Sequence, residues 1–130
     1  MIKTENRSDK PPGYTSPARN TEALIDRQHL SDFAMGDPAL ERRFLQLFLD
    51  HAGTDLKRMA DAGVEPFQKA AHSLKSSASS IGAWFVVDYL EQILEMPEHV
   101  LGPRRDEVLR QLSDRIQETV GHIRHIMDHD

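Results

Sequence analysis

The chain has 130 residues, a formal net charge of −5 at neutral pH and no cysteine. That length suits one domain with a real core and is too short for a kinase or a two-domain enzyme. The missing cysteine rules out disulfides and thiolate metal sites and fits a reducing compartment. Residues 1–20 carry a net charge of +2, leaving −7 on residues 21–130. An acidic body argues against nucleic acid as a partner, because phosphate binding needs a basic surface. The opening MIKTENRSDK lacks the apolar stretch of a signal peptide. No apolar run approaches the roughly 20 residues that span a bilayer. A soluble cytoplasmic protein with no membrane contact is expected.

Residues 1–20 hold Pro11, Pro12 and Pro17 but only four apolar side chains, a composition that predicts a disordered tail. From residue 21 to residue 130 the pattern is helical. Leu24, Ile25, Leu30 and Phe33 predict one or two short helical pieces ending near Met35-Gly36. Asp37-Pro38 is a helix start, with Asp as N-cap and Pro in the first helical position. Leu40, Phe44, Leu47, Phe48, Leu56 and Met59 mark an amphipathic helix to about Ala62, and Gly63 stops it. Glu65-Pro66 opens a second helix that runs towards Gly82. A third, from Ala83 to Glu95, sets Val86, Val87, Leu90, Ile93 and Leu94 inward, with Trp84 expected at the edge of the core.

Pro97 and Gly102-Pro103 predict a loop. A last helix from about Arg104 to Met127 follows, burying Val108, Leu112, Ile116, Val120 or Thr119, Ile123 and Met127. No segment alternates as a strand does. Four amphipathic helices with short turns predict an all-α, up-down four-helix bundle with a short N-terminal capping helix.

The segment from Ala71 to Ala83 is the most informative. At about 100° per residue, Phe67, Ala70, Leu74, Ala78 and Ile81 fall in one stripe about 80° wide, opposite His72. Gln68, Ser76 and Ser79 lie within about 40° of His72, and Lys75 and Lys69 flank it at about 60°. The imidazole is thus expected to face water among small neighbours. Ser76, Ser77, Ser79 and Ser80 together are costly for a helix, and easier to explain if a partner must come close.

These residues resemble the signature of histidine-containing phosphotransfer (HPt) domains. That pattern runs His, any residue, an aliphatic, Lys or Arg, Gly or Ser, small residues, then a Gly-Ala or Gly-Leu pair. His72, Leu74, Lys75, Ser76, Ser77, Ala78, Ile81, Gly82 and Ala83 match it. Gly36-Asp37 upstream and Leu90-Glu91 downstream are also similar, so the likeness covers about residues 24–128. Ser76 departs from the family's frequent glycine, and serine is nearly as small.

The resemblance implies that His72 accepts a phosphoryl group on Nε2. Lys75 would offset its charge, and docking would use the surface around Gln68, Lys69, Ser76 and Ser79. It names response-regulator receiver domains and a hybrid sensor histidine kinase as partners, the receiver supplying the aspartate and Mg²⁺. With no Walker loop or Gly-rich nucleotide fingerprint, the chain is expected to act as a phosphocarrier without ATP binding or autokinase activity and without a cofactor of its own.

The chemistry also stands without the family. Neutral imidazole is a good nucleophile near pH 7, a lysine one turn along can offset phosphoryl charge, and transfer needs mainly in-line positioning. A second reading is a helical interaction module that docks a receiver or other signalling protein without being phosphorylated. His122, His125 and His129 share one helix face and raise a metal site as an alternative. The helix dipole already favours histidines at that end, however, and no carboxylate is clearly placed as a further ligand, so no metal is expected.

Overall fold

Asp37 opens the first long helix as its chemistry demands. Its carboxylate accepts from the amides of Ala39 (3.0 Å) and Leu40 (3.4 Å), two donors that the helix itself leaves unpaired. The computed structural model describes residues 24–61 and 64–129. The expected tail, residues 1–20, lies outside them, as do Ala62 and Gly63. Five helices are described: α1 (Arg27–Phe33), α2 (Pro38–Asp61), α3 (Val64–Ser80), α4 (Trp84–Glu95) and α5 (Glu98–His129), with no strand among the described residues.

α2 packs on α3, α3 on α4, α4 on α5, and α5 back on α2, so the four long helices close a ring around one core. α1 lies against α2 and α3, in the capping position expected of it. Most of the core comes from the predicted stripes: Phe48 and Met59 from α2, Leu74 from α3, Leu90 from α4 and Leu112 from α5 are all fully buried. Leu47, expected on the apolar face of α2, is exposed, and Leu45 and Ala52 are buried instead. Replacing one such leucine with alanine typically costs about 2–5 kcal/mol, so several of these contacts are each comparable to a large share of a domain's net stability.

Two arginines tie α5 to α2 at carbonyls near helix ends, which have no partner within their own helix. Arg42 donates to the Met127 carbonyl at 3.1 Å, and Arg105 to the Met59 carbonyl at 2.5 Å. Arg115 ties α5 to α4. It donates to the Phe85 carbonyl at 2.8 Å, while its guanidinium lies 4.4 Å from the Phe85 ring centre and 4.7 Å from that of Tyr89.

Three further sequence expectations need correction. Gly102 and Pro103 do not form a loop: α5 runs unbroken from Glu98 and contains Pro103. Leu101 is buried ahead of the pair and Val108 after it, so one continuous helix keeps both on the core side. The bond lost at proline would have used the His99 carbonyl, and His99 and Pro103 are both exposed, where water can replace it. Further along α5, Thr119 and Ile126 are buried while Val120 and Met127 are half-buried. Thr119 hides its hydroxyl by donating to the Arg115 carbonyl at 2.9 Å.

Trp84 is not at the edge of the core but 1 % exposed, its indole N–H donating to Asp26 at 2.9 Å. Asp26 also caps α1 by accepting from the His29 amide at 3.1 Å. One carboxylate therefore starts α1 and anchors it to α4.

Candidate functional site

α3 carries the site, and its burial follows the predicted wheel closely. Phe67, Ala70, Leu74, Ala78 and Ile81 are each at most 2 % exposed, and His72 is exposed on the opposite side. The burial of one stripe aims the imidazole at solvent, because turning α3 to hide His72 would expose the leucine and the phenylalanine. Gln68, Lys69 and Ser76 are exposed on the same face.

Ser79 is the exception: it is only 6 % exposed. The wheel places it near His72, but α1 lies over the end of α3, where His29, Phe33, Ser76, Ser79 and Ser80 line a shallow cleft. His29 sits there because its ring meets Trp84 edge-on at 4.7 Å, and Phe33 meets Phe44 at 4.9 Å. Phe33 remains half-exposed at the cleft wall. Nothing in the local spacing around His29 singles it out, since its role comes from a residue 55 positions away in sequence.

The serines do not simply face water. Ser77 donates to the Leu74 carbonyl at 3.2 Å, and Ser80 to the Ser77 carbonyl at 2.8 Å. Such back-bonding lets a helix hold small polar residues without leaving their hydroxyls unpaired. Ser73, beside His72, donates to Asp55 of α2 at 3.2 Å. Asp55 is 5 % exposed and is also paired with Arg58 at 3.2 Å. It was legible as an acid inside the apolar series Leu45, Phe48, Ala52, Asp55, Met59, a position that calls for a buried partner.

Lys75 does not reach into open solvent. Its Nζ lies 3.6 Å from Glu91 of α4, with both side chains 18 % exposed. Glu91 was part of the family likeness, but its meeting with Lys75 depends on α4 packing against α3.

At the other end of the chain, His125 and His129 have ring centres 4.2 Å apart, and His129 Nδ1 lies 2.8 Å from the His125 carbonyl. His122 is half-buried, and that burial, followed by the nearby charges of His125 and Arg27, pushes its pKa down from the ordinary histidine value. Among the described residues no three histidine or acidic side chains converge as a metal would require.

The site is thus an exposed histidine opposite a buried stripe, on one helix of a helical bundle, with a lysine one turn on and small residues around it. A family model described as Hpt domain matches residues 43–124, and the chain belongs to that family. Membership makes it a phosphotransfer domain of two-component signalling, a family whose members pass phosphoryl groups with receiver domains of response regulators. Comparison with curated proteins and with solved structures returned no match. No helix among the described residues is long and apolar enough to cross a membrane.

Proposed function

We propose that this protein is a cytoplasmic phosphocarrier of a phosphorelay, taking a phosphoryl group on His72 from one receiver aspartate and handing it to another. A hybrid sensor kinase is the proposed upstream partner, and Mg²⁺ belongs to the receiver's site. The observation that carries the reading is the exposure of His72 opposite the fully buried stripe of α3, with Ser76 open beside it.

The step balances without any cofactor of this chain. The lone pair of one His72 ring nitrogen forms the P–N bond. The P–O bond to the donor aspartate breaks, leaving its electron pair on the carboxylate, and the proton on the other ring nitrogen stays in place. Reversal on a second aspartate releases the group. Lys75 supplies positive charge beside the phosphoryl oxygens, and the docked partner sets the in-line approach. ATP has no role in this chain, which acts downstream of the kinase.

The test is transfer from a panel of phosphorylated receiver domains to the purified protein, beside His72→Gln. Acid-labile, base-stable label on the wild type and none on His72→Gln is expected, with the helical circular dichroism of the two proteins alike. Receivers that bind the wild type but never label it, while labelling another HPt domain, would replace this reading with that of a docking module.

A further inference from the structure

The lysine next to His72 is already partnered before any phosphoryl group arrives. Lys75 Nζ and the Glu91 carboxylate stand 3.6 Å apart, bridging α3 and α4, and both side chains are 18 % exposed. Glu91 Oε2 is shut off from solvent. A charge-assisted hydrogen bond would be about 2.7–2.9 Å long. At 3.6 Å the ammonium feels the carboxylate without being locked to it, and a small movement suffices to share it with a new anion.

The sign of the effect follows from competition for one ammonium. Without Glu91 the Lys75 ammonium is free to turn to the phosphorylated ring one helical turn away, whereas Glu91 draws it towards α4. A phosphohistidine that shares the ammonium with Glu91 gains less than one that has it alone. A carrier must hold its phosphoryl group weakly enough to give it up.

Resting on the phosphocarrier reading above, we propose that Glu91 is a positioning residue that acts through Lys75. It tempers the cation so that the balance between His72 and the receiver aspartate stays close enough to even for transfer in both directions. Glu91 itself does not touch the phosphoryl group.

The experiment measures the equilibrium constant of phosphoryl exchange between the protein and a receiver that labels the wild type, approached from both directions. Glu91→Gln keeps the shape and removes the charge. It is expected to shift the balance towards phosphohistidine by about threefold to tenfold, the size of a single partly buried charge acting across several ångströms. In a Lys75→Gln background most of that shift should vanish. Glu91→Asp, which withdraws the charge by one methylene, should move the balance less and in the same direction; it also serves as the second variant should Glu91→Gln lose helicity. A merely structural role would lower stability or slow both directions without moving the equilibrium.

No shift, a shift towards the receiver, or an equal shift without Lys75 would overturn the proposal while leaving the phosphocarrier reading in place. Failure of every receiver to label the wild type would sink that reading first, and this inference with it.

Discussion

Gly82 and Asp26 meet backbone to backbone. The Asp26 amide donates to the Gly82 carbonyl at 2.9 Å, and a Cβ added to Gly82 would stand 2.7 Å from Asp26 Cβ and 2.8 Å from its carbonyl oxygen. Gly82 also has φ of +71°, a conformation that side chains rarely tolerate. Gly82→Ala is therefore expected to cost about 2–3 kcal/mol through strain and the displacement of Asp26. Urea unfolding followed by Trp84 fluorescence checks it, since Trp84 bonds to the same aspartate. An unchanged midpoint would contradict the close contact.

Ser76 and Ser79 should respond differently to the same enlargement. Ser76 is exposed beside His72, so Ser76→Trp is expected to leave the fold intact and slow transfer at least about tenfold by blocking the partner's approach. Ser79 is buried under α1, so Ser79→Trp is expected to lower stability by about 1–3 kcal/mol. Paired transfer assays and urea titrations separate the two effects. Full transfer by Ser76→Trp would move the docking surface elsewhere.

Arg115 holds α5 to α4 through a carbonyl, two aromatic rings and Asp88, whose carboxylate lies 3.8 Å away. Loss of a hydrogen bond from a charged group costs about 1.5–3 kcal/mol, and Arg115→Met should fall in that range. Arg115→Lys keeps the charge but loses the planar guanidinium stacked on the rings, so thermal unfolding should show only partial recovery. Complete rescue by lysine would mean that charge alone accounts for the contact.

His122 makes stability depend on pH. Burial, then the charges of His125 and Arg27, hold its pKa below that of the unfolded chain. The unfolded state therefore binds the proton more readily, and the contribution is present above the ordinary histidine pKa and lost as pH falls below it. The urea midpoint is expected to drop between about pH 7 and pH 5.5, in the range where free histidine titrates. His122→Gln should flatten part of that drop. A slope unchanged by the substitution would assign the pH dependence to other groups.

Much of this architecture was legible along the chain. Asp37-Pro38 starts α2 as read, α3 and α4 end within two residues of their expected limits, and the stripe opposite His72 is buried residue for residue. These features depend on short-range geometry, since capping and helical period are set by neighbours one turn away. Gly102-Pro103 misled for the same reason. Locally the pair signals a break, but the buried positions on either side of it reward an unbroken helix more than the proline penalises it.

By itself the sequence determined the all-α class, the helical order, the face on which His72 stands and the family signature around it, because each is written in spacings of three or four residues. Tertiary structure alone decided that Ser79 is covered, that Trp84 is enclosed by a bond to Asp26, and that Lys75 meets Glu91 rather than open water. Each of these joins residues on different helices. Which residues meet there is set by how the helices pack and rotate against one another, and no local period encodes that choice.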